Sequence, residues 1–152
     1  MLPRTSSPAP RKGTVILPPR FSLPVRVYYE DTDAAGVVYY ANYLRFLERA
    51  RTEWLGALGH PLAELEREHG IVFVVRRLAI DYRLPARLAD LLDVGVTVES
   101  VGRARLAARQ DVRRDGTVLV DARVELACLD AVRWKPARIP VPLPSAPAPP
   151  TS

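Results

Sequence analysis

The residues best placed to do chemistry stand together in Asp31-Thr32-Asp33-Ala34-Ala35-Gly36, two carboxylates and a glycine between a β-rich stretch, Val25 to Glu30, and a helical pattern that begins at Asn42. A carboxylate on a loop between a strand and a helix can serve as a general base or as a nucleophile toward an electrophilic carbon. Gly36, three residues beyond Asp33, lets backbone N–H groups approach a bound group closely. The helix that follows offers unpaired N–H groups and the positive end of its dipole, which suit a developing oxyanion. An Asp-x-Asp turn also satisfies its own backbone N–H groups. The residues by themselves leave both readings open.

The remaining reactive side chains point elsewhere. His60 and His69 have no ligand partner at metal spacing and read as surface or loop residues, so no metal is expected. Cys128 is the only cysteine, which rules out an intrachain disulfide, a cysteine-rich zinc site and a CxxC redox pair. With no histidine near it in sequence, Cys128 reads as a small apolar residue at the end of a strand. There is no glycine-rich phosphate loop, Walker motif or dinucleotide fingerprint, so no cofactor is indicated and any hydrolysis needs only water.

The elements that must position the loop follow from periodicity. Tyr43, Phe46, Leu47, Ala50, Trp54, Leu55 and Leu58 recur at three- and four-residue spacing, with Asn42 as N-cap and Gly59 as C-cap. They predict one long amphipathic helix whose apolar face, Trp54 included, packs against a sheet. Ile71 to Tyr82, Leu91 to Val101, Ala104 to Arg113 and Thr117 to Leu129 read as strands. Val101-Gly102-Arg103 and Arg114-Asp115-Gly116 are tight turns, the second an Asp-Gly that favours a hairpin. The expectation is an α+β domain, one helix against a curved antiparallel sheet of about five strands joined mostly as a meander.

The chain has 152 residues, enough for one domain with one core. Its longest apolar run, Ala34 to Ala41, is eight residues, far short of a membrane-spanning helix. No secretory apolar region precedes the domain, which reads as cytoplasmic. Thirteen of the 15 prolines lie in residues 1–24 or 136–152. The ends therefore read as disordered tails, 1–20 rich in Pro and Arg and 143–152 rich in Pro, flanking a domain at 21–142. The formal charge is +5, yet residues 21–132 hold 15 basic against 17 acidic groups. The basic excess sits in the tails, so a nucleic-acid groove within the fold is not expected.

Val25-Arg26-Val27-Tyr28-Tyr29-Glu30-Asp31-Thr32-Asp33-Ala34-Ala35-Gly36-Val37-Val38-Tyr39-Tyr40-Ala41-Asn42-Tyr43-Leu44 resembles the active-site signature of hotdog-fold acyl-CoA thioesterases. In particular it is similar to the 4-hydroxybenzoyl-CoA thioesterase family and its Tol-Pal-associated bacterial branch. The similarity continues through Glu48 to Leu55, Tyr82 to Asp90 and Lys135 to Pro140, and so covers about residues 24–141. It implies that Asp33 is the catalytic carboxylate, as nucleophile or as general base for water, and that the backbone N–H of Tyr40 holds the oxyanion. Gly36, Val37 and Asn42 belong to the same substrate-binding segment. Tyr29 corresponds to a site tyrosine of the branch, with core packing as its other reading, and Asp31 is loop-forming. This chain has Tyr40 where the branch usually has a histidine, as aromatic-class members also do.

Another hotdog group keeps its catalytic carboxylate on the long helix. Here Glu48 is expected in an ion pair with Arg45 or Arg51. Arg103 above all, with Arg105, Arg76 and Arg77, is placed to meet coenzyme A phosphates. The strand from Ile71 leaves an edge, and the resemblance implies a homodimer or homotetramer that covers it, with sites between protomers. The function expected is hydrolysis of an acyl-CoA thioester to free acid and CoA, with acyl-carrier-protein thioesters as a second substrate class. The alternative is a non-catalytic hotdog module that binds or senses acyl-CoA or acyl carrier protein. A third reading, tails that bind nucleic acid or a membrane surface, rests on charge alone.

Overall fold

A computed structural model describes residues 16–145. The elements run β1 (Phe21–Arg26), α1 (Asn42–Ala57), α2 (Leu62–His69), β2 (Ile71–Tyr82), β3 (Leu91–Val101), β4 (Arg105–Arg114) and β5 (Thr117–Asp130). A short 3-10 turn, Tyr29–Asp31, lies between β1 and α1. All strand pairs are antiparallel, in the order β1-β3-β4-β5-β2. No helix among the described residues is long and apolar enough to cross a membrane.

The helix face read from spacing is the buried one: Tyr43, Phe46, Leu47, Ala50, Trp54 and Leu55 meet the inner faces of β1 and β3. Gly59 ends α1 as expected. Its φ of 91° is the left-handed conformation that glycine adopts freely. The Gly59 N–H donates to Gly56 O and the His60 N–H to Leu55 O, which together satisfy the last carbonyls in a Schellman motif. The start of α1 differs from expectation. Ala41 stands at the cap position in helical conformation, while the Asn42 side-chain amide donates to Asp31 O at 2.9 Å. Asn42 therefore ties the helix to the preceding loop rather than capping it.

Three strands form the expected meander, and the β4–β5 turn places Asp115 and Gly116 at φ 50° and 81°, the paired left-handed conformations of a type I′ hairpin. The fourth does not join it. β2 pairs with β5, from Ile71 opposite Asp130 to Tyr82 opposite Val120, and the 83–90 connection then crosses the end of the sheet to reach β3. The alternating pattern of β2 defined its faces but carried no information on its neighbour. β2 thus becomes one outer edge, with a bulge between Val75 and Arg77. The opposite edge, β1, is six residues long and contains Pro24, which blunts it.

The second helix, α2, was not expected from the sequence. It buries only Leu65 and offers little periodicity, although Pro61 before it and Gly70 after it, at φ 64°, punctuate it. His69 lies in its last turn. Residues 1–15 and 146–152, most of the expected tails, lie outside the described residues. Leu17 and Leu143 pack against the core, and Arg20 ion-pairs with Asp93 at 3.1 Å and with Asp111. The guanidinium of Arg20 crosses β3 over Gly95, where a Cβ would collide with it. These contacts draw residues from both flanks of 21–142 into the packed domain.

Candidate active site

The chain from β1 to α1 is built by its own polar groups. The Asp31 carboxylate accepts the Tyr28 N–H at 2.8 Å and closes the 3-10 turn, while Asp31 O accepts the Tyr39 N–H and the Asn42 amide. Between these anchors the Asp33 N–H donates to Val37 O at 2.8 Å and the Gly36 N–H to Asp33 O at 3.0 Å. Gly36 has φ 78°, so this turn needs a residue that tolerates the left-handed region. Asp33 Oδ1 accepts the Ala35 N–H at 2.8 Å. Its second oxygen has no hydrogen-bond partner among the described residues, and the side chain is exposed. At Asp33 one oxygen holds the turn, as the turn reading expects, and the other is left without a partner among the described residues.

The loop is pinned from below. Buried Val38 donates its N–H to Ala86 O at 2.9 Å, and the Ala86 N–H donates to the Tyr43 hydroxyl at 2.9 Å. Val37 bridges to Arg87. The 83–90 segment is fixed in turn by Arg114, which donates to Pro85 O and to Asp90. Burial pushes the Tyr43 phenol above its usual range, against the opposing Ala86 contact. Tyr43→Phe leaves the Ala86 N–H without a partner in a fully buried position and should cost about 1–3 kcal/mol. Chemical denaturation measures it; a loss near zero would show that the loop does not depend on this bond.

Partial burial alone would raise the Asp90 carboxyl, but the Arg87 N–H at 2.8 Å and the Arg114 guanidinium at 2.6 Å outweigh it and hold the group below its usual range. A carboxyl depressed in the folded state contributes stability above its unfolded pKa, about 3.9, and loses it as pH falls through the lower folded value. Wild type should therefore melt above Asp90→Asn near neutral pH and converge on it in acid. A constant difference across the pH series would refute the assignment.

Just before the cap of α1 the Tyr40 N–H donates to no acceptor among the described residues. Tyr40 O instead accepts the Tyr82 hydroxyl at 3.0 Å. The Tyr40 ring lies 4.8 Å from that of Tyr39 and meets Tyr82 edge-on at 6.3 Å. Tyr40 and Tyr82, with Val38, Tyr43, Leu84 and Pro85, line a cleft of about 260 Å³. Tyr43 and Tyr82, absent from the candidate residues, are its walls. Their signal was their place in the two blocks of family resemblance.

Tyr29 is 82% exposed within the chain, which excludes core packing. Glu48 forms no ion pair with Arg45 or Arg51 among the described residues: Arg51 turns inward instead, and its Nη1 donates to Gln110 Oε1 at 2.8 Å. Arg103 and Arg105 flank the β3–β4 turn, and Arg76 lies at the β2 bulge, 3.2 Å from Glu125. The Asp33 loop is tied to residues just before β3, whereas Arg103 follows its other end, about 33 Å away along an extended strand. One protomer does not bring Arg103 and Arg105 to Asp33. Cys128 is fully buried, and burial pushes its thiol up, so it stays protonated. No group of three or more His, Cys, Asp or Glu side chains able to hold a metal occurs among the described residues.

A long helix laid across a curved five-stranded antiparallel sheet defines a hotdog architecture, the fold of the thioester hydrolases that this chain matches. The family model described as Thioesterase superfamily matches residues 35–120, and the chain belongs to that superfamily. It is similar to the acyl-CoA thioesterase YbgC of Haemophilus influenzae, 49% identical over 79% of this chain and 88% of that protein. It is also similar to the acyl-CoA thioester hydrolase YbgC of Escherichia coli O6:H1, 42% identical over 79% and 90%. Among solved structures, a probable thioesterase from Bartonella henselae superposes with a TM-score of 0.75 at 35% identity, over 80% of this chain and 99% of that one.

Proposed function

We propose that this protein hydrolyses acyl-CoA thioesters, with Asp33 as the reactive carboxylate and the Tyr40 N–H as oxyanion donor. The observation that carries the reading is the pairing of an open carboxylate oxygen on a pinned loop with an unused N–H just before the next helix. The thioester carbonyl oxygen takes the Tyr40 N–H, and the helix dipole stabilises the negative charge that develops there. Asp33 either attacks the carbonyl carbon, giving a mixed anhydride that water opens, or removes a proton from the attacking water. In both cases a C–O bond forms, the C–S bond breaks, and the thiolate of CoA departs. A thiol of ordinary acidity, pKa about 8.5, leaves as its anion without a general acid. That accommodates tyrosine at position 40, where the related branch has an imidazole. Gly36, Val37 and Asn42 act through the backbone and the helix anchor, and exposed Tyr29 flanks the mouth.

The free edge of β2 pairs with the same edge of a second copy, in a dimer or a dimer of dimers, and the sites lie between protomers. Antiparallel pairing across that edge places the far end of one sheet beside the Asp33 end of the other. Arg103 and Arg105 of the second copy then meet the CoA phosphates, with Arg76 nearer the axis. Acyl-carrier-protein thioesters present the same pantetheine arm and form the second substrate class. The buried, unpaired Cys128 suits a reducing cytoplasm. The test is CoA release followed with a thiol reagent across short, medium, long and aromatic acyl-CoAs, alongside the mass in solution. Turnover by a dimer or larger assembly is expected; binding of acyl-CoA without thiol release would favour the sensing module instead.

A further inference from the structure

We infer that Arg51, held in place by Gln110, is the floor of the acyl groove and limits the length of acyl chain that the site accepts; this rests on the acyl-CoA reading above. α1 packs against β1 and β3, which leaves a groove of about 170 Å³ between the helix and the β5–β2 side of the sheet. Leu55 of α1, Leu62 of α2, Phe73 and Val75 of β2 and Leu126 of β5 give it apolar walls, and Glu48, Thr52 and Arg51 of α1 are its polar members. Phe73 and Val75 belong to the edge strand on which a second copy adds, where a thioester held between protomers would direct its acyl group.

The Arg51 guanidinium is unusual in this position. It reaches beneath the helix to Gln110 on β4, whose own amide donates to Leu47 O at 2.9 Å. Gln110, 1% exposed, is the one buried polar or charged side chain among the described residues. Swinging Arg51 outward would orphan the Gln110 oxygen, so the guanidinium is fixed. Desolvation lowers its pKa, and only the charge of Glu48 opposes this. No carboxylate forms an ion pair with it among the described residues. A half-buried cation that forms no ion pair is a poor device for stability, and apolar packing would serve the helix–sheet contact better. In a groove whose sheet side is apolar it has a clear consequence. Hydrocarbon is welcomed along Leu55, Phe73 and Val75, but a chain that reaches the guanidinium strips water from its free N–H donors and supplies no acceptor. The site therefore favours short acyl groups.

Acyl-CoAs from acetyl to dodecanoyl should be compared for wild type, Arg51→Met, the double variant Arg51→Met/Gln110→Leu, which leaves no orphaned oxygen, and Arg51→Lys, which keeps the charge. In the Met variants kcat/KM for long chains relative to butyryl-CoA should rise, by about tenfold for every two methylenes newly buried. Arg51→Lys should keep the wild-type order. Parallel losses at every chain length, or an unchanged profile, would overturn the inference. Calorimetry with S-butyl- and S-dodecyl-CoA thioethers, which cannot be hydrolysed, reads groove depth without turnover. A wild type that hydrolyses no acyl-CoA defeats the Asp33 reading; a thioether preference untouched by Arg51→Met defeats this one.

Discussion

Asp33→Asn should lower kcat for acyl-CoA hydrolysis by about 10³-fold, within the range that a positioned acid or base contributes, while acyl-CoA binding survives. The substitution is nearly isosteric, and the amide oxygen can still accept the Ala35 N–H that Oδ1 accepts at 2.8 Å. The two bonds that shape the turn, from the Asp33 N–H to Val37 O and from the Gly36 N–H to Asp33 O, are backbone bonds and are untouched. Stability should therefore stay within about 0.5 kcal/mol of wild type, as for surface substitutions generally. Loss of activity with loss of fold, or activity retained in the variant, would remove Asp33 from the mechanism. Single turnover in ¹⁸O-labelled water, with hydroxylamine as a trap, separates the two chemical routes. Label appearing in Asp33 marks an anhydride opened at the Asp33 carbon, and hydroxylamine trapping of an acylated Asp33 distinguishes an anhydride opened at its acyl carbon from a general base.

The largest effect on stability is expected at Phe46, which is fully buried on the inner face of α1. Its ring meets Tyr43 edge-on at 6.1 Å, and Arg49 lies 5.8 Å from its other side. Phe46→Ala removes that ring from a core that cannot collapse around the gap and should cost about 3–5 kcal/mol. A domain of this size is stable by about 5–15 kcal/mol in total, so the variant should be folded only marginally at elevated temperature. Urea unfolding followed by far-ultraviolet dichroism checks this, with Phe46→Leu expected to lose less. The same helix carries Tyr43, which pins Ala86, and adjoins the Tyr40 N–H, so activity in Phe46→Ala should follow the folded fraction. A loss under about 1.5 kcal/mol would mean that this face is not packed as described.

Much of this was legible in local pattern. The three- and four-residue spacing from Tyr43 to Leu58 identified the buried face of α1, because a helix repeats its side every 3.6 residues whatever it packs against. Asp115-Gly116 predicted its hairpin and Gly59 its helix end, since both depend on backbone conformations that few residues tolerate. The block from Val25 to Leu44 identified the loop that carries the candidate site, because the loop's shape comes from hydrogen bonds among residues only a few positions apart.

Partner choice over distance was decided elsewhere. Alternation in β2 could not reveal that its neighbour is β5, because pairing is a property of two segments some fifty residues apart. Asn42, a cap by its local pattern, is a tie to Asp31, and Arg51, a local partner for Glu48 by its spacing, reaches Gln110. In each case a residue able to satisfy itself locally found a competing acceptor that the fold brought close. The same holds for the openness of one Asp33 oxygen and the idle Tyr40 N–H. The amino-acid sequence determined which groups were present and in what local geometry. The tertiary structure determined which of them were left unpaired, because satisfaction of a polar group depends on everything that the folded chain packs around it.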